Sequence, residues 1–412
     1  MDKFEKISLF PADILLPKNT DMTKWSVVAC DQYTSQPDYW EDVKNTVSDN
    51  VSTYNLVLPE LYLNDNDVDE RIKNINYNMQ NYVDEGVFNE YKSSVIYIER
   101  TLNNGKVRKG VVATIDLENY NFEPGNSAMI RATEGTVLER IPPRVRVREN
   151  ACLELPHVML LIDDEEDIVF GSIDSSNFEK VYDFELMKGS GHLCGWKIDD
   201  CDELAVRLAE LYEKNYIRNN TMLYAVGDGN HSLATAKACW ENIKKSGVDI
   251  ENHPARYALV EIENIHDAAL DFEPIHRIII NCDADNLLKE LDKYCGISES
   301  GNENEQQISS VIKGKATKLY IKNPTSNLAV GTLQNFLDEY MKGKNCEIDY
   351  IHGDDVISDL SMQDNSIGFL LPSMEKSDLF KTIITDGILP RKTFSMGEAC
   401  DKRFYAEARK IK

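Results

Sequence analysis

The chain has 412 residues, 42% hydrophobic and 28% charged, a globular composition with length enough for two or three domains. Its formal net charge of −25 repels phosphate backbones and anionic lipid, which argues against nucleic acid and membranes as partners. No apolar run approaches the ~18 residues of a membrane span. The first residues lack a signal-peptide core, and the nine scattered cysteines form no Cys-x-x-Cys pair. Free thiols in a reducing, cytoplasmic setting are therefore expected, and a zinc site built on cysteine is disfavoured.

In chain order, "WSVVACDQYT" (25–34), "SSVIYIERTL" (93–102) and "VRKGVVATIDLENY" (107–120) read as strands rich in valine, isoleucine and tyrosine. Between the first two, "DERIKNINYNMQNYVDEG" (69–86) has the period of a helix. "HVMLLIDD" (157–164) and "DIVFGSI" (167–173) read as neighbouring strands, and "KGSGHLCGWKI" (188–198) as a hairpin, since it lacks the spacing of a P-loop. "CDELAVRLAELYEKNYIRNN" (201–220) predicts an amphipathic helix with acidic start and asparagine stop. A strand ending in "VGDG" and a helix over "SLATAKACWENIKKSG" follow, then strands at 255–264 and 270–280. After residue 282 come helix, polar excursion ("SESGNENEQQ", 298–307), strand, helix, strand and helix, with the tail "EACDKRFYAEARKIK" as a terminal helix. The expected architecture is mixed α/β (α+β) in three regions. These are 1–150 with a basic segment, 151–282 with a polar box, and 283–412 as an additional C-terminal α/β layer.

Chemistry concentrates in few places. "YAVGDGNHSL" (224–233) puts Asp228 and His231 at a strand-to-helix corner loosened by Gly227 and Gly229. These side chains suit proton transfer or metal binding, and the N–H groups that open the helix favour an anion. A tight turn capped by Asp228 or Asn230 accounts for the same residues. "RATEGTVLERIPPRVRVREN" (131–150) holds five arginines, Arg131, Arg140, Arg144, Arg146 and Arg148, against two glutamates among residues 131–148. Their planar forks suit phosphate or carboxylate. Pro142-Pro143 breaks a helix, and in an extended run Arg144, Arg146 and Arg148 share one face. A solvated face paired with nearby acids is the alternative.

In "ACDQYTSQPDYW" (29–40), Asp31 is the candidate, while Cys30 reads as a structural thiol that nothing adjacent activates. His276 in "FEPIHRII" reads as a hydrogen-bonded core residue. Arg391 and Lys392 in "LPRKTFSMGEA" precede a flexible glycine and suit closure over an anion.

Taken together, "ILLP…WSVVACDQYTSQPDYW", "RATEGTVLERIPPRVRVREN", "LELPHVMLLIDD", "LYAVGDGNHSLATA", "FEPIHR" and "LPRKTF" resemble, nearly end to end, the family known as domain of unknown function 1015. The core "VGDGNHSLATA" also resembles the Asp-Gly-His-His-Arg box of the free serine kinases, in the ParB and sulfiredoxin superfamily. Asp228, Gly229 and His231 match that box, while Asn230 and Ser232 replace its first histidine and its arginine. The resemblance implies a ParB/sulfiredoxin-like core and phosphoryl transfer on a small metabolite, with serine or O-phosphoserine as best guess in either the kinase or the phosphatase direction. Asp228, His231 and Asp31 would be catalytic. Those five arginines, Gly229, Asn230, Ser232, Arg391 and Lys392 would bind substrate or phosphate, with Mg2+ and ATP or ADP as cofactors. A nucleotide- or phosphometabolite-binding regulatory protein without catalysis is the alternative, since the two replacements remove groups the kinases use.

Overall fold

Valine- and isoleucine-rich runs build the central sheet, and the period-2 geometry of a strand lets each run serve two faces. The computed structural model describes residues 3–216, 221–390 and 392–412. They fall into two compact units, residues 1–270 with 397–412, and residues 271–396.

In the first unit the main strands are β1 (Phe88–Thr101), β2 (Val107–Asp116), β3 (Val158–Ile162), β4 (Glu179–Glu185), β5 (His192–Ile198), β6 (Tyr224–Asp228) and β7 (Tyr257–Asn264). With shorter strands they form an eleven-stranded mixed sheet among the described residues, in which the order β6-β3-β7-β2-β1-β5-β4 runs unbroken. β3 and β7 are parallel, and β6 runs antiparallel to β3. The helices α1 (Val68–Asp84), α2 (Ile141–Arg148), α3 (Asp202–Tyr216) and α4 (Asn230–Lys245) belong to the same unit.

The sheet is covered on both sides. Val95, Val111, Val260 and Ile262 face one core with Leu208, Leu233 and Trp240 of α3 and α4. Ile96, Val112 and Leu259 face a second core with Val27, Val28, Trp40 and Phe404. On that second side the sheet also carries Arg100, Arg108, Glu261 and Glu263, all buried. This sheet draws strands from 9–131 and from 158–264, on both sides of the expected boundary at 150. The C-terminal layer begins near 271 and returns the chain to the first unit at 397.

The second unit holds an antiparallel sheet of β8 (His276–Ile280), β9 (Gln306–Ile312), β10 (Lys315–Ile321), β11 (Glu347–Ile351) and β12 (Ser366–Leu370), with a short strand at its edge. Helices α5 (Ala284–Cys295), α6 (Ala329–Tyr340) and α7 (Lys376–Asp386) supply its buried leucines and phenylalanines. His276 is a satisfied core residue: its Nδ1 accepts from the Leu371 N–H at 3.1 Å and its Nε2 meets Asp354 at 2.8 Å.

Four local expectations are corrected. Of residues 25–34, Trp25 ends a short helix (Met22–Trp25) and Val28 forms an isolated bridge to Phe404 in place of a strand. Residues 167–173 turn instead of extending. Asp164 accepts from the Val169 N–H at 2.8 Å, and Asp167, at φ 50°, accepts from the Gly171 N–H. Pro142 and Pro143 open α2 rather than break it, since the first helical N–H groups need no partner. The tail is extended, not helical. Ala29 donates to the Arg403 carbonyl and Tyr405 to that of Val27, while Leu15 and Ala408 exchange both bonds. Burial of every residue from 403 to 409 is the reason: this segment is an inner extended run, with isolated bridges at Phe404 and Ala408, and has no solvent face for a helix to expose. Residues 217–220, the end of the helix expected over 201–220, lie outside the described residues.

Candidate functional site

β6 ends at Asp228, and Gly229 is the N-cap of α4 at φ 81° without any side-chain cap bond. A left-handed residue is the glycine's speciality, and here there is also no room. A Cβ on Gly229 would lie 3.1 Å from both His157 Cδ2 and Val158 Cα. The capped-turn account therefore fails for Asp228, whose side chain makes no cap bond. Asp228 Oδ2 is buried without a hydrogen-bond partner among the described residues, and the Lys402 ammonium lies 3.7 Å from it.

His157, immediately before β3, joins this corner to Asp31. Its Nε2 lies 3.2 Å from Asp31 Oδ2 and its Nδ1 2.9 Å from the Tyr405 hydroxyl. Gln32 donates to Asp31 Oδ1 at 2.8 Å, and the Cys30 N–H donates to the Tyr405 oxygen at 3.1 Å. Burial opposes a charge on Asp31, but the charge and hydrogen bond of His157, with Gln32 and Lys402, hold its carboxyl far below the ordinary value of 3.8. Burial likewise opposes the imidazolium, yet Tyr405 and Asp31 raise His157 well above 6.5.

The signs fix a pH window. Stability from the raised histidine is fully present below its unfolded pKa of about 6.5 and fades only above that, as pH rises through the folded value. Stability from the depressed aspartate is present above 3.8 and fades as pH falls toward its folded value. The pair is thus intact around neutrality. The His157 ring is expected to remain an imidazolium at about pH 7.5, where an unperturbed histidine is neutral. Ring-resonance titration by NMR checks this, with Asp31→Asn expected to bring the titration down toward neutrality. A neutral ring at that pH in the wild-type protein contradicts the assignment.

The remaining predicted residues divide. Asn230 is tied to Thr133, accepting from its N–H and donating to its hydroxyl, both at 3.3 Å. His231 Nε2 accepts from the Val137 N–H at 3.3 Å. The start of the basic segment thus lies against the box, with Ser232 half-buried in the first turn of α4. The guanidinium groups turn elsewhere. Arg131 is held by Ala128 and Thr221. Arg144 pairs with Glu60 at 2.5 Å, Arg146 with Asp69, and Arg148 with Glu154 at 2.5 Å, while Arg140 is exposed. Because α2 is helical, Arg144, Arg146 and Arg148 do not share the single face of an extended run. In the second unit, Lys392 is at φ 57° and its carbonyl accepts from Arg277 at 2.8 Å. Arg391 lies outside the described residues.

Three members of the cluster were not singled out from sequence. His157 stood in "LELPHVMLL", where a proline and a histidine precede a fully apolar strand, and that is a readable signal. Lys402 and Tyr405 had none, because an assumed helical tail hid them. Nothing adjacent in sequence activates Cys30, but its sulfur lies 3.8 Å from His157 Nδ1.

Residues 11–340 match the family described as Protein of unknown function (DUF1015). No protein of curated function matches the chain. Among solved structures it is similar to a free serine kinase variant in complex with AMP, at 12% identity and TM-score 0.41 over 74% of this chain and 92% of that one. A conserved hypothetical protein from Pyrococcus furiosus gives 12% and 0.37 over 74% and 96%. SbnI with C-terminal truncation, from Staphylococcus aureus, gives 9% and 0.38 over 70% and 82%. No helix among the described residues is long and apolar enough to cross a membrane.

Proposed function

The chain belongs to the DUF1015 family, and from the geometry of its polar corner we propose that the protein binds a small phosphorylated metabolite or nucleotide there and transfers the phosphoryl group. The observation that carries this reading is the buried Asp228 Oδ2, which accepts no hydrogen bond among the described residues and lies 3.7 Å from the Lys402 ammonium, at the opening of a sixteen-residue helix. Phosphoryl transfer needs positioned positive charge on the phosphate and a carboxylate for base or metal duty. The opening N–H groups of α4 and Lys402 supply the first, and Asp228 the second. Asp31 acts through His157, which it fixes. Asp228 Oδ2 is also the oxygen that a Mg2+ ion accompanying ATP or ADP would take up. Arg144, Arg146 and Arg148 are engaged by carboxylate partners and Arg131 by Ala128 and Thr221, so the phosphate charge is met mainly by Lys402 and the helix.

Serine and O-phosphoserine remain the substrate pair suggested by the Asp-Gly-Asn-His box. The test is phosphate release from O-phosphoserine and phosphoserine formation from serine with ATP or ADP, alongside thermal shift with each compound. A ligand bound only by the native state raises the apparent stability. Turnover supports the reading. Neither turnover nor a thermal shift with any phosphate ester or nucleotide overturns it. A shift without turnover favours a regulatory binding protein, a reading that the structural use of Asn230, tied to Thr133, also supports.

A further inference from the structure

A second constellation lies on the β4–β5 hairpin of the first unit. In "HLC" the histidine and cysteine are two residues apart, so on an extended strand both side chains leave the same face. The register sets Cys194 opposite Asp183 and His192 opposite Glu185. On its other side Cys194 faces Glu99 of β1. Single ligand atoms of Asp183, His192 and Cys194 all lie within 4.8 Å of one another. His192 Nε2 is 2.7 Å from Asp183 Oδ1, and its Nδ1 is 2.9 Å from Glu185 Oε1. The site is half-open: the His192 side chain is 29% exposed and that of Asp183 44%.

We propose that Asp183, His192 and Cys194 form a site for a borderline-soft divalent cation of the zinc type, with Glu185 as the residue that orients the imidazole. One thiolate, one imidazole and one carboxylate are a donor set that zinc accepts, with a fourth position left for water or Glu99. Glu185 on Nδ1 orients the ring, the outer-shell arrangement typical of metal-bound histidine, and a cation takes Nε2 in place of its contact with Asp183. Three carboxylates, those of Asp183, Glu185 and Glu99, surround the site against one ammonium, that of Lys180, which occupies the other Asp183 oxygen at 2.6 Å. Burial and the Asp183 carboxylate push the Cys194 thiol up to about 11, so near neutrality a cation must displace its proton. Binding then releases the thiol proton, and the proton that Nε2 donates to Asp183, to solvent, while the Nδ1 proton stays facing Glu185. The absence of a Cys-x-x-Cys pair from the sequence does not bear on such a site, because its ligands come from two strands.

The test uses the full-length protein, stripped with chelator, and Co2+ alone as the probe. A near-ultraviolet thiolate-to-cobalt band that saturates at one ion per chain is expected, and Zn2+ should abolish it by competition. The band should vanish in Cys194→Ser. In Glu185→Gln the affinity should fall by roughly 10- to 100-fold, and throughout it should rise with pH as the thiol is more easily deprotonated. His192→Gln reads the same site should the serine variant fail to fold by circular dichroism. No band at about pH 8, or an undiminished band in folded Cys194→Ser or His192→Gln, overturns the proposal.

Discussion

Asp228→Asn is expected to lower phosphoryl turnover by roughly two to four orders of magnitude while the protein stays folded, the usual worth of a positioned acid–base or metal-holding carboxylate. The side chain keeps its shape and loses only its charge. Since Gly229, not Asp228, caps α4, no helix cap is lost with it. The partner Lys402 stands 3.7 Å away with its side chain only 11% exposed, so the variant also leaves an ammonium without its carboxylate. Melting temperature and far-ultraviolet circular dichroism report on the fold, and phosphate release on turnover. Wild-type turnover in a folded Asp228→Asn protein would remove this residue from the chemistry and return the corner to a structural turn.

The second large effect is on stability. Arg403 is 2% exposed and stands within a group of buried charges. Its Nη1 lies 2.8 Å from Glu261 Oε2, and its Nη2 pairs with Glu407. Nearby, Arg108 Nε lies 2.7 Å from Glu263, and the Tyr182 hydroxyl donates to Glu407. Burial pushes Glu263 and Glu407 upward as acids, while Arg108 and Arg403 respectively oppose that shift and favour the carboxylates. Taking away one member of a buried pair typically costs 3–5 kcal/mol, because the remaining charge is left uncompensated. Arg403→Leu is expected to cost about that much, most directly through Glu261 and Glu407. Chemical denaturation measures it. Lys402 and Tyr405 flank Arg403, so ligand binding at the Asp228 corner should weaken in the same variant. Pairing Arg403→Leu with Glu261→Gln should recover part of the loss. A single variant within about 0.5 kcal/mol of wild type, the range of an ordinary surface substitution, would show that the network does not hold the tail.

Much of this protein is written locally. The periods of residues 69–84, 202–216 and 230–245 specify helices whatever they pack against, and β-branched runs mark β1, β2, β3, β6 and β7 in the same way. The box itself was legible: "VGDGNH" signals a strand-to-helix corner with an acid on it, because only glycine suits a left-handed N-cap pressed against a neighbouring strand. What the sequence could not settle were segments whose conformation depends on distant partners. Residues 403–409 have the composition of a helix and become an inner extended segment because the Val27–Ala29 and Leu15 backbones offer hydrogen bonds. The arginines of 131–148 look like a free cationic surface until Glu60, Asp69 and Glu154, from three other places in the chain, are set against them. His157, Tyr405 and Lys402 join Asp31 and Asp228 across separations that no spacing rule connects. Local propensity decided the elements, while hydrogen-bond and charge satisfaction in a buried interior, which counts every partner at once, decided which side chains meet.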